Sequence, residues 1–158
     1  MSATAQDAMA LASAASKQKL RLWLRLLRAT RRVENDLRER LRTQHDTTMP
    51  RFDVLAALYR EPAGLKMSAL SRMMMVSNGN VTGIVDRLVE DGLLERVAIA
   101  GDRRAILVRL TDEGRDYFAA LATEHEGWVN EIMSSVSPEE ADALFEPLER
   151  LAGMGGKR

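Results

Sequence analysis

The feature that most constrains this chain is a change of hydrophobic period at Gly92. Upstream of it, Val81, Ile84, Val85 and Leu88 recur at helical spacing and commit one side of a segment to a core. Downstream, Leu94, Arg96 and Ala98 separate from Leu93, Glu95, Val97 and Ile99 as two faces of a strand. Ala100-Gly-Asp-Arg-Arg104 makes a turn, after which Ile106, Val108 and Leu110 alternate with Ala105, Leu107 and Arg109. A helix that runs without a linker into a β-hairpin excludes a plain helical bundle and a plain β-sandwich alike.

The helical run from Val76 to Gly92 has an unusual second face. At about 100° per residue it exposes Gly79, Thr82, Gly83 and Asp86, with Asn78, Asn80 and Arg87 on the flanks. A surface helix is normally filled with Lys, Glu and Gln, and each glycine costs about 1 kcal/mol relative to Ala. A face of small polar groups fits a helix whose backbone must approach a partner closely. Ser77 is a suitable N-cap and Gly92 a suitable stop. Lys66 to Met74 reads as a short helix with Met67, Leu70 and Met74 inward, and Val76-Ser77 as a tight turn between the two. Two short helices about a tight turn make a helix-turn-helix, and a basic-tipped hairpin directly after the second helix is a wing.

The remaining segments are helical. Leu20, Trp23, Leu24, Leu27, Val33, Leu37 and Leu41 follow helical spacing without a Gly or Pro, and residues 1–16 read as a frayed or weakly helical arm before them. Thr43 to Met49 is a polar break. Pro50 suits the first turn of a helix with Phe52, Leu55, Ala56, Leu58 and Tyr59, which Glu61-Pro-Ala-Gly64 ends. Thr111-Asp-Glu-Gly114 caps a long helix through Tyr117, Phe118, Leu121, Trp128, Ile132 and Met133. Ser137-Pro-Glu-Glu140 opens another, striped by Ala141, Leu144, Phe145, Leu148 and Leu151. The predicted fold is mainly α with a small β-hairpin wing: residues 49–110 as a winged helix-turn-helix, and 17–48 with 111–153 as a helical dimerisation region, intertwined as a single domain. Apolar stripes longer than one small core can cover point to a homodimer.

Charge sharpens this. The chain is neutral overall, with 23 basic and 23 acidic residues, yet residues 17–42 carry ten basic groups against three acidic, and residues 111–150 carry two against eleven. Such a chain can meet a polyanion on one side only. Eight of the basic groups between Arg21 and Arg42 are arginines, the residue suited to bidentate contact with carboxylate or phosphate. There is no cysteine, which excludes disulfides, thiolate metal sites and a thiol nucleophile and agrees with a cytoplasmic location. No apolar run approaches the roughly 20 residues needed to cross a bilayer, so no membrane partner is expected. His45 and His125 sit in different segments without Ser or Cys partners, no acidic pair has metal-ligand spacing, and His125 reads as a solvated or capped helix residue. No catalytic residue, metal site or cofactor is expected, and the chain does not read as an enzyme.

In element order the chain resembles the MarR family of transcriptional regulators over about residues 18–152. The closest motif is Gly101-Asp-Arg-Arg-Ala-Ile-Leu-Val-Arg-Leu-Thr-Asp-Glu-Gly114, which is similar to that family's wing, Asp-x-Arg followed by a strand and Leu-Thr-x-x-Gly. Val81-Thr-Gly-Ile-Val-Asp-Arg-Leu-Val-Glu-Asp-Gly-Leu-Leu-Glu-Arg96 is similar to its recognition helix and first wing strand. The resemblance implies a homodimer on a near-palindromic operator, usually a repressor, released when a small aromatic effector binds. By position it gives Asp102 and Arg104 the wing roles and Thr82 a backbone contact. Gly83 stands where members often carry a larger polar or basic residue, which moves base reading toward Asn78 and Asn80. Within the family, Leu22-Trp-Leu-Arg-Leu-Leu27 and Thr48-Met-Pro-Arg-Phe-Asp53 are similar to the repressors of hydroxycinnamate (p-coumarate, ferulate) catabolism, which implies a coenzyme A thioester as effector.

These strands give one leading expectation: a dimeric, ligand-responsive regulator of double-stranded DNA. Asn78 and Asn80 would lie near base edges, Ser77 and Thr82 on phosphates, Arg87 on the helix flank, and Asp102, Arg103 and Arg104 at the wing. Trp23, Arg25, Arg28, Arg32, Met49, Arg51, Phe52 and Trp128 are the candidate effector contacts, for an aromatic acid or an aromatic acyl-CoA. The alternative is a winged helix that serves as a protein-interaction scaffold, which would bind DNA only weakly and without regard to sequence.

Overall fold

The computed structural model describes residues 2–74, 78–99 and 102–153; the side chains of residues 2–14, 78, 99 and 102–105 lie outside that description. It contains six helices and three strands among those residues: α1 Ser2–His45, α2 Met49–Tyr59, β1 Leu65–Lys66, α3 Met67–Met74, α4 Asn78–Glu90, β2 Leu94–Ile99, β3 Asp102–Leu110, α5 Asp112–Ile132 and α6 Pro138–Leu151. The chain divides into two compact units, residues 1–46 and 47–158. The helices after the wing therefore lie in the same unit as the helix-turn-helix.

The first unit holds a single helix, α1. It starts at Ser2, so the stretch expected to be an arm continues this helix. Midway along it Leu20, Leu22, Trp23 and Leu24 are all exposed, whereas Leu37 and Leu41 are buried. Asp46 ends it with a positive φ of 47°.

In the second unit α2, α5 and α6 each start where a cap residue dictates. The Thr48 hydroxyl accepts from the Arg51 N–H and Pro50 occupies the first turn of α2. The Thr111 hydroxyl accepts from the Gly114 N–H at 3.0 Å, and Ser137 with Glu140 forms a reciprocal capping box on α6. α2, α3, α4, the sheet and α5 share one core, in which Val54, Leu55, Leu58, Leu70, Val81, Val85, Leu88, Val108 and Leu121 are almost or fully inaccessible. α6 stands apart from it, with no buried residue at all.

The sheet has three strands in the order β1-β3-β2, all antiparallel. β1 was not expected: Lys66 belongs to this two-residue strand, not to the following helix, and Leu65 pairs with Val108. Gly64, at φ 89°, allows the approach, since a Cβ there would lie 2.8 Å from the Val108 carbonyl oxygen. The wing strand β3 starts at Asp102, so Asp102, Arg103 and Arg104 are strand residues, not part of the turn; the register is shifted at Ala98 and Ile99, where Ile99 pairs with Asp102.

Candidate nucleic-acid interface

α4 is fixed at its end as firmly as its sequence suggests. Leu93 N–H donates to the Leu88 carbonyl and Gly92 N–H to the Val89 carbonyl, both at 3.0 Å, and Gly92 takes a φ of 76°. This is a Schellman closure. Thr111 then locks it to α5, its hydroxyl donating to the Gly92 carbonyl at 2.7 Å and its N–H to the Leu93 carbonyl at 3.1 Å. Gly114 lies so close that a Cβ would stand 1.9 Å from the Leu93 carbonyl oxygen. The helix end, the first wing strand and the start of α5 are thus one hydrogen-bonded joint.

With Val81, Val85 and Leu88 buried, the opposite face of α4 turns outward. Gly79, Asn80, Thr82, Gly83 and Arg87 are exposed there. Among the described residues a Cβ added to Gly79 or Gly83 would meet nothing within 4 Å, so packing against them does not require either glycine. Asp86, half-buried on the same face, pairs with Arg96 of β2. This contact was not foreseen. Of the other expected contacts, Ser77 lies outside the described residues, and so do the side chains of Asn78, Asp102, Arg103 and Arg104.

The expected effector residues are shared between the two units. Trp23, Arg25, Arg28 and Arg32 belong to α1, where all four are exposed. Arg51 pairs with Asp91, just past the end of α4, although its Nε is buried without a hydrogen-bond partner. Phe52 and Trp128 are buried in an aromatic cluster of α2 and α5, and Met49 is half-buried at the start of α2. His125 is a member of that cluster: it stacks on Phe52 with ring centroids 4.4 Å apart and meets Trp128 edge-on. The solvated residue read from sequence is therefore half-buried. Burial pushes the His125 pKa down, with the Asp53 carboxylate opposing it, and burial pushes Asp53 up. A cavity of about 320 Å³ opens beside the cluster, with Phe52, Asp53, Arg60, Met73 and Met74 in its walls. Among the described residues no group of three or more His, Asp or Glu could hold a metal ion.

Residues 47–106, which span the helix-turn-helix and most of the wing, match the family model described as "MarR family". A MarR family transcriptional regulator from Silicibacter pomeroyi, known from its crystal structure, is 31% identical and superposes with a TM-score of 0.72 over 87% of this chain and 95% of that one. The chain belongs to the MarR family. Its relatives in that family include the HTH-type transcriptional regulator PecS of Dickeya dadantii, 36% identical over 102 residues, which are 63% of this chain and 61% of PecS. Sco3205 from Streptomyces coelicolor, a MarR family regulator whose structure was determined in complex with DNA, shares the fold with a TM-score of 0.76 at 22% identity, over 89% of this chain and 90% of that one. Membership accounts for the wing following α4 directly. It identifies the chain with transcriptional regulators and not with enzymes.

Proposed function

We propose that the protein is a dimeric transcriptional repressor that binds a near-palindromic operator and leaves it when a small effector binds. The observation that carries the DNA reading is the outward face of α4, where two glycines that no described neighbour requires lie among exposed Asn80, Thr82 and Arg87. A helix made less stable on its exposed side, and open along it, suits entry into a major groove about 12 Å wide. The family's regulators and the fold shared with a DNA-bound protein support the same reading. With no described helix long and apolar enough to cross a membrane, the proposed place of action is the cytoplasm, beside the DNA.

The dimer reading rests on α6, whose Leu144, Phe145, Leu148 and Leu151 are all exposed, and on the exposed Leu20, Leu22, Trp23 and Leu24 of α1. Sedimentation of only 17.6 kDa particles at micromolar concentration would remove it. For the effector, Arg25, Arg28 and Arg32 form an exposed cationic row along one side of α1, of the kind several phosphates require, which favours an aromatic acid in its coenzyme A thioester form. Arg51 fits that role less well because it is already paired with Asp91. Calorimetric titration decides the point, since equal binding of free acid and thioester excludes a phosphate contact. Gel shifts on fragments of the promoter beside the coding region test the whole proposal: tight binding to one fragment, weakened by the effector, is expected, and weak binding to every fragment alike would identify a scaffold.

A further inference from the structure

The Asp86–Arg96 pair joins two elements that enter the proposed interface, and its geometry gives Arg96 a task. In β2, Arg96 lies two residues from buried Leu94, on the same face of the strand, and stands opposite buried Val108, so its side chain leaves the sheet on the face that packs against the helices. It reaches the recognition helix at Asp86. The place it reaches is specific. Taking buried Val81 as the origin and about 100° per residue, Gly83 lies about 200° round the helix, Asp86 about 140° and Arg87 about 240°. Asp86 and Arg87 therefore lie about 60° and 40° to either side of Gly83, the middle of the outward face.

A helix with its side chains is about 10–12 Å across and fills a major groove, so groups on its two flanks face the two sugar–phosphate walls. Arg87 occupies one flank. An unpaired carboxylate on the other would repel a phosphate, but here Asp86 holds a guanidinium, and that group has five N–H donors to share. Both members of the pair are partly exposed, at 34% for the Arg96 side chain and 48% for Asp86, and a pair so open to water adds little to folding stability. Its larger consequence is to hold a long cationic side chain in one position before a partner arrives.

We infer that Arg96 contacts the DNA backbone, with Asp86 as its positioning residue, so that Arg87 and Arg96 grip opposite walls of the groove entered by α4. This rests on the DNA-binding reading above, and the test keeps the two apart. Binding of the full-length protein to the promoter fragment and to a random-sequence duplex is measured across a salt series. If the wild type binds neither, the DNA reading itself falls. If it binds, Arg96→Ala should weaken both probes several-fold by a similar factor and lower the log–log salt slope by about one unit; Arg87→Ala should do the same, and the double variant should lose about two. Arg96→Gln keeps the polar stem without the charge and should lose the same unit of slope, which covers the case in which the alanine variant folds poorly. Asp86→Asn should weaken binding although it removes a negative charge, and should have no further effect once Arg96 is replaced. An unchanged slope in Arg96→Gln, or tighter binding by Asp86→Asn, overturns the inference.

Discussion

Replacing Gly83 with Ala should make the protein more stable and a poorer DNA binder. The stabilising part follows from the space around the residue: a Cβ at Gly83 meets nothing within 4 Å, so the substitution adds no collision. What remains is the intrinsic preference of a helix interior for Ala over Gly, about 1 kcal/mol. For a chain of this length that corresponds to a rise in Tm of about 2–4 °C. The binding part has the opposite sign because the methyl group would stand in the middle of the face proposed to enter the groove. Holding α4 off the base edges by even part of a methyl radius loosens every contact made by its flanks. A loss of about 1–3 kcal/mol, or about 5- to 150-fold in Kd, is expected. Differential scanning calorimetry and a fluorescence-anisotropy titration on the same preparations measure both quantities. A variant with raised Tm and unchanged affinity would refute the idea that Gly83 preserves clearance for DNA, and a lowered Tm would show that the glycine serves the fold instead.

Gly114→Ala should behave in the opposite way, since its methyl group collides with the Leu93 carbonyl oxygen and must open the joint made by Thr111. Overpacking and one or two weakened hydrogen bonds together cost about 2–5 kcal/mol, to be read from urea unfolding. Asp91→Ala leaves the Arg51 guanidinium, with its Nε already buried and unpartnered, short of its carboxylate. A loss of about 1–3 kcal/mol is expected, and Arg51→Met with Asp91→Ala should recover part of it. The lowered pKa of His125 gives stability a pH dependence. At pH values below 6.5 the unfolded chain takes up the imidazole proton before the folded one does, so stability should fall as pH drops from 6.5 through the lower native pKa. Asp53, raised in the native state, acts with the opposite sign at lower pH, and thermal melts of His125→Phe should show a flatter profile just below pH 6.5.

The parts of the fold legible in the sequence are those set by neighbouring residues. Thr111 and Ser137 each cap the helix that follows, because the capping contact spans only three positions. Gly92 ends α4 for an equally local reason. What was not legible depends on residues far apart. β1 is too short to show any period and exists only because Leu65 and Lys66 find β3. His125 looked solvated because nothing in its own helix reveals that Phe52 will lie across its ring. The outward face of α4 could be read from its wheel, but the arrival of Arg96 beside Asp86 could not, since it depends on how β2 leaves the helix. The Arg51–Asp91 pair was hidden for the same reason, since 40 positions of chain separate its members.

The pairing of β1 with β3 also sets an order of events. Leu65 and Lys66 meet Val108 and Leu107 across about forty positions of chain, and the helix-turn-helix lies inside the loop so closed. Closure of a loop that long is cheap only after its contents have condensed, so β1 should dock late in folding, after α3 and α4 have packed and after the local β2–β3 hairpin. The same step, run backwards, opens first. Amide protons of the β1–β3 ladder should then exchange with solvent through a smaller opening than those of the α2 core, which would leave the wing able to detach at its base while the helix it accompanies stays folded.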